Sequence, residues 1–148
     1  VDSRIGSHSE TLTDITFAQA EALGAQLGAD MPVAVGMRNW RPFIPEALAT
    51  LAAAGVERTI GIPMAPQFST LSVQKYVDTA SAALPPGMVF EAVHSFHAHP
   101  RLLEAFAQRV RAAAPEPDEA IIFTAHSLPA RVIEAGDPYA DEVAATAR

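Results

Sequence analysis

Residues 120–139 read AIIFTAHSLPARVIEAGDPY, and how this stretch is read decides the fold. The run 120–124 combines two isoleucines with a phenylalanine and has the length of a fully buried strand. Pro129 then opens a short helix over 129–135, since a first-turn proline sacrifices no hydrogen bond. Gly136 caps that helix, and a further helix begins near Tyr139. A strand feeding a helix is half of a β–α–β unit. Between the two stands His126, an imidazole presented where the strand ends, followed by Ser127-Leu128-Pro129.

Upstream the same alternation repeats. Thr13 is an N-cap candidate for a helix over 14–27, with Gly28 as its stop. PVAVGMR predicts a buried strand over 33–37. Pro42 fits the first turn of a helix that continues through EALATLAAA to Gly55. A strand over 58–62 follows, then a loop stiffened by Pro63 and Pro66. A helix over 72–83 is closed by Pro85-Pro86-Gly87. A strand over 88–93 leads through a loop to a helix over 100–113, and Pro115–Glu119 is the linker candidate. Helices and strands alternating at these lengths predict an α/β layered sheet, with parallel strands joined by helical crossovers. Ligands of such sheets gather at the carboxyl ends of the strands. Those ends carry residues 38–40, 65–69, 94–99 and 126–127, which are expected to face one cleft.

Composition narrows the function. The 148 residues suffice for one compact domain, and 49% of them are hydrophobic, enough for a core. A formal charge of −7 and the lack of a Lys/Arg run argue against nucleic acid, whose binding rests on clustered positive charge. There is no cysteine, which excludes disulfides and thiolate metal sites and agrees with a reducing, cytoplasmic compartment. No apolar run reaches bilayer length, so no integral membrane segment is expected. Val1–His8 are set apart as candidate vector-derived residues. No Gly-x-Gly-x-x-Gly, P-loop or Gly-x-Ser-x-Gly motif occurs, so neither a nucleotide nor another organic cofactor is predicted.

Three groups of polar residues carry candidate chemistry. His94, His97 and His99 invite a zinc reading, but no carboxylate or thiolate stands near them at a metal spacing, and a solvated histidine-tolerant loop explains them as well. Ser69, Thr70 and Ser72 at a helix start offer an anion cradle or, more simply, N-capping. His126 is either a hydrogen-bonded strand-end residue or a catalytic one. Ser127 beside it makes no triad, since adjacent residues at a strand end point apart.

The motifs LTDIT (12–16), GMRNWRPFIPEAL (36–48), MAPQFSTLSVQKY (64–76), AHSLP (125–129) and GDPYADEV (136–143) occur together in this order. Their set and spacing resemble the ferrochelatase family, the porphyrin metal chelatases of haem biosynthesis. AHSLP followed by GDPY is the specific part of the likeness. The resemblance implies a Rossmann-like, chelatase-like parallel sheet with helices on both faces, and a lyase activity that inserts ferrous iron into protoporphyrin IX or coproporphyrin III. Fe(II) and the porphyrin are then substrates. It further implies that His126 is the active-site residue, as iron ligand or pyrrole-proton acceptor, and that Tyr76 lines the porphyrin site. Ser9 is the nearest match to a porphyrin-contacting serine, although the glycines and proline around it are altered.

The likeness has departures. Family members are about twice as long, so residues 1–114 correspond to most of a first half and 115–148 to a linker and the start of a second. The glutamate that works opposite the histidine would lie beyond Arg148, and little or no chelatase activity is expected of these 148 residues alone. Gln67 stands where many bacterial members have histidine. Trp40, Met64, Phe68 and Leu71 serve equally as apolar wall or as core, while Arg38 or Arg41 fits a propionate partner or, more simply, a surface ion pair. Two alternatives stay open at this point: a non-catalytic tetrapyrrole-binding fragment, and a single-domain chelatase completed by a second copy.

Overall fold

A computed structural model describes residues 8–113 and 118–148, with side chains in the first helix from Leu12 onward. Six helices and two strands follow in the order α1 (His8–Leu27), α2 (Ile44–Ala53), β1 (Arg58–Gly61), α3 (Val73–Ala82), β2 (Val89–Ala92), α4 (Pro100–Ala113), α5 (Ala130–Glu134) and α6 (Tyr139–Thr146). The strands pair with each other. Val89 N–H donates to Glu57 O at 2.8 Å and Val93 N–H to Gly61 O at 2.9 Å, a constant register that makes the pair parallel. The α/β reading therefore holds, with α3 as the crossover between the strands. No helix among the described residues is long and apolar enough to cross a membrane.

Two expected strands are not formed. Residues 33–37 join no ladder and make only an isolated parallel bridge, Met37 to Phe43. Residues 120–124 carry no ladder, and Ile122 is 82% exposed. An apolar run becomes a strand only when a neighbour takes up its N–H and C=O groups; among the described residues β1 and β2 spend their pairing on each other. Two helix starts also move. α1 begins at His8, which puts Thr13 inside it. α2 has Phe43 as N-cap and a proline, Pro45, in its first turn, while Pro42 lies before the helix. The start of α2 is secured by Glu46, whose Oε2 accepts Phe43 N–H at 2.8 Å, the returning half of a capping box. Most of the Pro115–Glu119 linker lies outside the described residues.

Contacts divide the chain into two compact units. In the first, described residues up to Thr59 combine with Thr79–Phe90. Its core is the face of α2 bearing Ile44, Ala47, Leu48 and Leu51, the i, i+3, i+4, i+7 spacing of a buried helical stripe, with Ala80 and Met88 also buried. Residue 36 passes so close to α2 that a Cβ there would stand 2.9 Å from Ile44 Cα and 3.1 Å from Ala47 Cβ. Glycine is required because the obstruction is backbone. Gly36→Ala is expected to cost about 2 kcal/mol, in line with overpacking, read as a lowered urea midpoint with unchanged slope; a midpoint equal to wild type would show that the two segments separate freely.

The second unit, Ile60–Asp78 with Glu91–Arg148, is held by polar anchors more than by apolar mass. Val73 is fully buried, and Ser69 and Asp137 are its buried polar residues. Gly136, at φ +93°, turns the chain out of α5 in the left-handed region that favours glycine and delivers Asp137 inward.

Candidate functional site

The second unit gathers the loops that leave both strands. Residues 63–72 follow β1 and lead into α3, and residues 93–99 follow β2 and lead into α4. The loops meet at Pro66, whose carbonyl accepts Phe96 N–H at 3.0 Å and lies 3.1 Å from Ser95 Oγ.

The hydroxyls before α3, read as an anion cradle or as simple N-caps, surround an anion that the chain itself supplies, the Asp137 carboxylate. Asp137 Oδ2 accepts Thr70 N–H at 2.7 Å, Thr70 Oγ1–H at 2.7 Å and Ser69 Oγ–H at 3.1 Å, while its Oδ1 accepts Tyr139 N–H at 3.1 Å. Ser69 Oγ in turn accepts Leu71 N–H at 3.1 Å. Capping and anion binding are thus both satisfied internally. Burial pushes the Asp137 carboxyl up, but the donors from Thr70, Tyr139 and Ser69 outweigh it and hold the group below the ordinary aspartate value.

The three histidines of HSFHAH have three separate surroundings. His94 is exposed, with its ring tilted against Phe68 at a centroid distance of 5.9 Å. His97 Nδ1 lies 2.8 Å from Ser95 Oγ and 3.3 Å from Glu142 Oε2. His99 Nδ1 accepts Arg101 N–H at 3.2 Å, which makes it a cap for α4 with Pro100 as the first helical residue. Among the described residues, no three His, Asp or Glu side chains converge as a metal-binding group. Ser95, His97 and Glu142 are no catalytic triad either, because serine and carboxylate approach the same ring nitrogen, whereas a triad base uses one nitrogen for each.

His126 has an exposed ring whose Nδ1 is 2.9 Å from Ser127 O. A carbonyl oxygen can only accept, so the contact is favourable with the proton on Nδ1. The lone pair then resides on Nε2, free to take up a proton or a cation. Tyr76 is half-buried one turn into α3, its N–H bonded to Ser72 O at 3.3 Å. Ser9 falls in the first turn of α1, and its side chain lies outside the described residues. Gln67 donates to Thr146 Oγ1 at 3.0 Å. In the same unit Met64 is 60% exposed and Leu71 43%, so neither is core; Trp40, in the first unit, is 56% exposed. Arg41 pairs with Glu46 at 3.0 Å and lies over the Phe43 ring, the surface ion pair expected as the simpler outcome. An open concavity of about 330 Å³ in the second unit is lined by residues including Phe68, Thr70, Arg131 and Asp137, and neither Tyr76 nor His126 borders it.

Sequence reasoning did not single out Asp137 or Glu142. Apart from Tyr139, the hydrogen-bond partners of their side chains lie 47 to 74 positions away, beyond the reach of any local pattern.

Comparison of the sequence with known proteins places the chain in a family. The family model described as ferrochelatase matches residues 3–148. The chain is 40% identical to the ferrochelatase of Deinococcus radiodurans, over 93% of this chain and 47% of the relative. It is 36% identical to the ferrochelatase of Aquifex aeolicus, over 90% and 45%, and 32% identical to the coproporphyrin III ferrochelatase of Geobacillus kaustophilus, over 93% and 48%. The chain spans about half the length of the curated relatives it matches.

Proposed function

This chain belongs to the ferrochelatase family, and on that premise we propose that the protein inserts ferrous iron into a porphyrin, protoporphyrin IX or coproporphyrin III, as a lyase of haem biosynthesis. The observation that carries the proposal is the match over residues 3–148, which includes the AHSLP histidine. On this reading residues 1–114 form most of the first family half, and residues 115–148 the linker and the start of the second. A cytoplasmic location agrees with the absence of cysteine.

Insertion requires two pyrrole N–H protons to leave while Fe(II) enters the ring. His126 is assigned the role of proton acceptor or iron ligand. The Nδ1–H contact to Ser127 O supports it, because that contact orients the ring and leaves Nε2 unprotonated. One lone pair serves one task at a time, so a proton accepted at Nε2 must depart before the same nitrogen binds iron. Tyr76 is assigned to the porphyrin wall and Ser9 to a further porphyrin contact. Exposed Met64 and Leu71, on either side of the loop that starts α3, supply the apolar surface a flat macrocycle needs.

The test is anaerobic addition of Fe(II), or of Zn(II), to porphyrin with the product of the complete gene. The porphyrin absorption spectrum should change to that of the metallated ring at a rate proportional to protein. Porphyrin fluorescence quenching without metal insertion would replace the chelatase with a tetrapyrrole-binding protein. Neither signal would reject the proposal altogether.

A further inference from the structure

Glu142, in the first turn of α6, receives more than its helix needs. Its Oε2 accepts Phe68 N–H at 2.6 Å and Ser95 Oγ–H at 2.8 Å, and His97 Nδ1 stands 3.3 Å from the same oxygen. The protons around Ser95 can be placed by counting. Its hydroxyl has one, and the charged Glu142 Oε2 at 2.8 Å is a nearer and stronger acceptor than Pro66 O at 3.1 Å. The serine proton therefore goes to the carboxylate. The 2.8 Å contact between Ser95 Oγ and His97 Nδ1 then needs a proton on the ring nitrogen. One turn further along α6, Thr146 Oγ1 accepts from Gln67 at 3.0 Å, and its one proton is shared between Glu142 O at 2.9 Å and His97 O at 3.2 Å. Two successive turns of α6 thus grip both loops.

What Glu142 grips leads straight to Tyr76. Phe68 precedes Ser69, whose carbonyl accepts Ser72 N–H at 3.2 Å and Gln74 N–H at 3.1 Å, and Ser72 O accepts Tyr76 N–H. Asp137 bonds to Ser69, Thr70 and Tyr139, whereas Glu142 reaches both the 63–72 and the 93–99 loops. Its side chain is only 14% exposed, which keeps water from competing for these donors.

We infer that Glu142 is a positioning residue for the porphyrin site, setting the start of α3, and hence the place of Tyr76, through the Phe68 amide and the Ser95–His97 pair. The inference rests on the porphyrin reading above. Glu142 touches no substrate on this view.

The test compares the chain with its Glu142→Ala, Glu142→Gln and Ser95→Ala variants in two measurements: protoporphyrin IX affinity by fluorescence quenching, and amide hydrogen exchange at Phe68 and Tyr76. Loss of hydrogen bonds to a charged, shielded acceptor should raise the porphyrin Kd of Glu142→Ala roughly 10-fold and speed exchange at both amides by about the same factor. Glu142→Gln keeps an acceptor oxygen and should recover most of the affinity, a rescue that mere loss of fold stability does not predict. Ser95→Ala retains the carboxylate and should fall between the two, which keeps the test decisive if the alanine variant unfolds. Porphyrin affinity unchanged within about twofold in Glu142→Ala overturns the inference. If the unaltered chain quenches nothing, the porphyrin reading itself fails; the exchange rates then judge the Glu142 step separately, and an undisturbed Tyr76 amide overturns that too.

Discussion

His126→Ala is expected to lower metal insertion by at least ~10²-fold, the smaller end of what a positioned acid–base group contributes, while leaving porphyrin affinity within about threefold. The split follows from the proposed role. The ring is exposed and fixed by a single contact to Ser127 O, so removing it leaves no cavity and disturbs no core packing. Any loss should therefore appear in turnover and not in stability or in substrate holding. His126→Gln is the companion variant, since its amide can reach a similar position but cannot accept a proton near neutral pH. It should be as inactive as alanine if the imidazole takes pyrrole protons, and partly active if a neutral ligand atom for iron is enough. Undiminished turnover in both variants would remove His126 from the mechanism.

The second large effect is expected at Asp137. Its carboxylate is 8% exposed and receives four hydrogen bonds, three of them from Ser69 and Thr70. Asp137→Ala strands these donors and should destabilise the chain by roughly 3 kcal/mol, the scale of losing hydrogen bonds to a buried charged acceptor. Asp137→Asn keeps one acceptor oxygen but turns an NH₂ group toward donors, and should lose about half as much. The dependence on pH has a definite sign. The folded-state pKa lies below the ordinary aspartate value, so the folded form binds this proton less readily than the unfolded chain. The stabilisation is complete above the ordinary value of about 3.9 and fades as pH falls through the lowered one. Urea midpoints of wild type and Asp137→Asn should differ at pH 7 and converge as pH falls through the lowered folded-state value. Equal midpoints at pH 7 would mean that the carboxylate contributes nothing net.

The helices were largely legible in the sequence, because their signals are local. Pro100 and the apolar spacing of α4 predict its bounds as observed, and Gly136 stops α5 where expected. Pro42 misled because a proline three positions further on, Pro45, fits the first turn equally well; Glu46, whose carboxylate reaches back to Phe43, settles which is used. Strands were less legible. An apolar run states what a segment would bury but not who pairs with it, and residues 33–37 and 120–124 fail on the second count. AHSLP singled out His126 as a candidate, and the hydroxyls of the FST loop allowed an anion partner beside the simpler N-capping. That the anion would be Asp137 needed the fold, since no periodicity links positions 67 residues apart. His97 was harder still. Its neighbour in sequence, Ser95, is visible, but the carboxylate that completes the set comes from α6.

The open segment after the linker carries its own hazard. Ile121, Ile122 and Phe123 stand in water, with no proline among them and each more than half exposed. Short β-prone stretches of this kind stack into cross-β ribbons when identical copies meet. Directly before them stand Asp118 and Glu119, like-charged gatekeepers whose repulsion between copies opposes such stacking. Colloidal behaviour of the chain should therefore hinge on this acidic doublet.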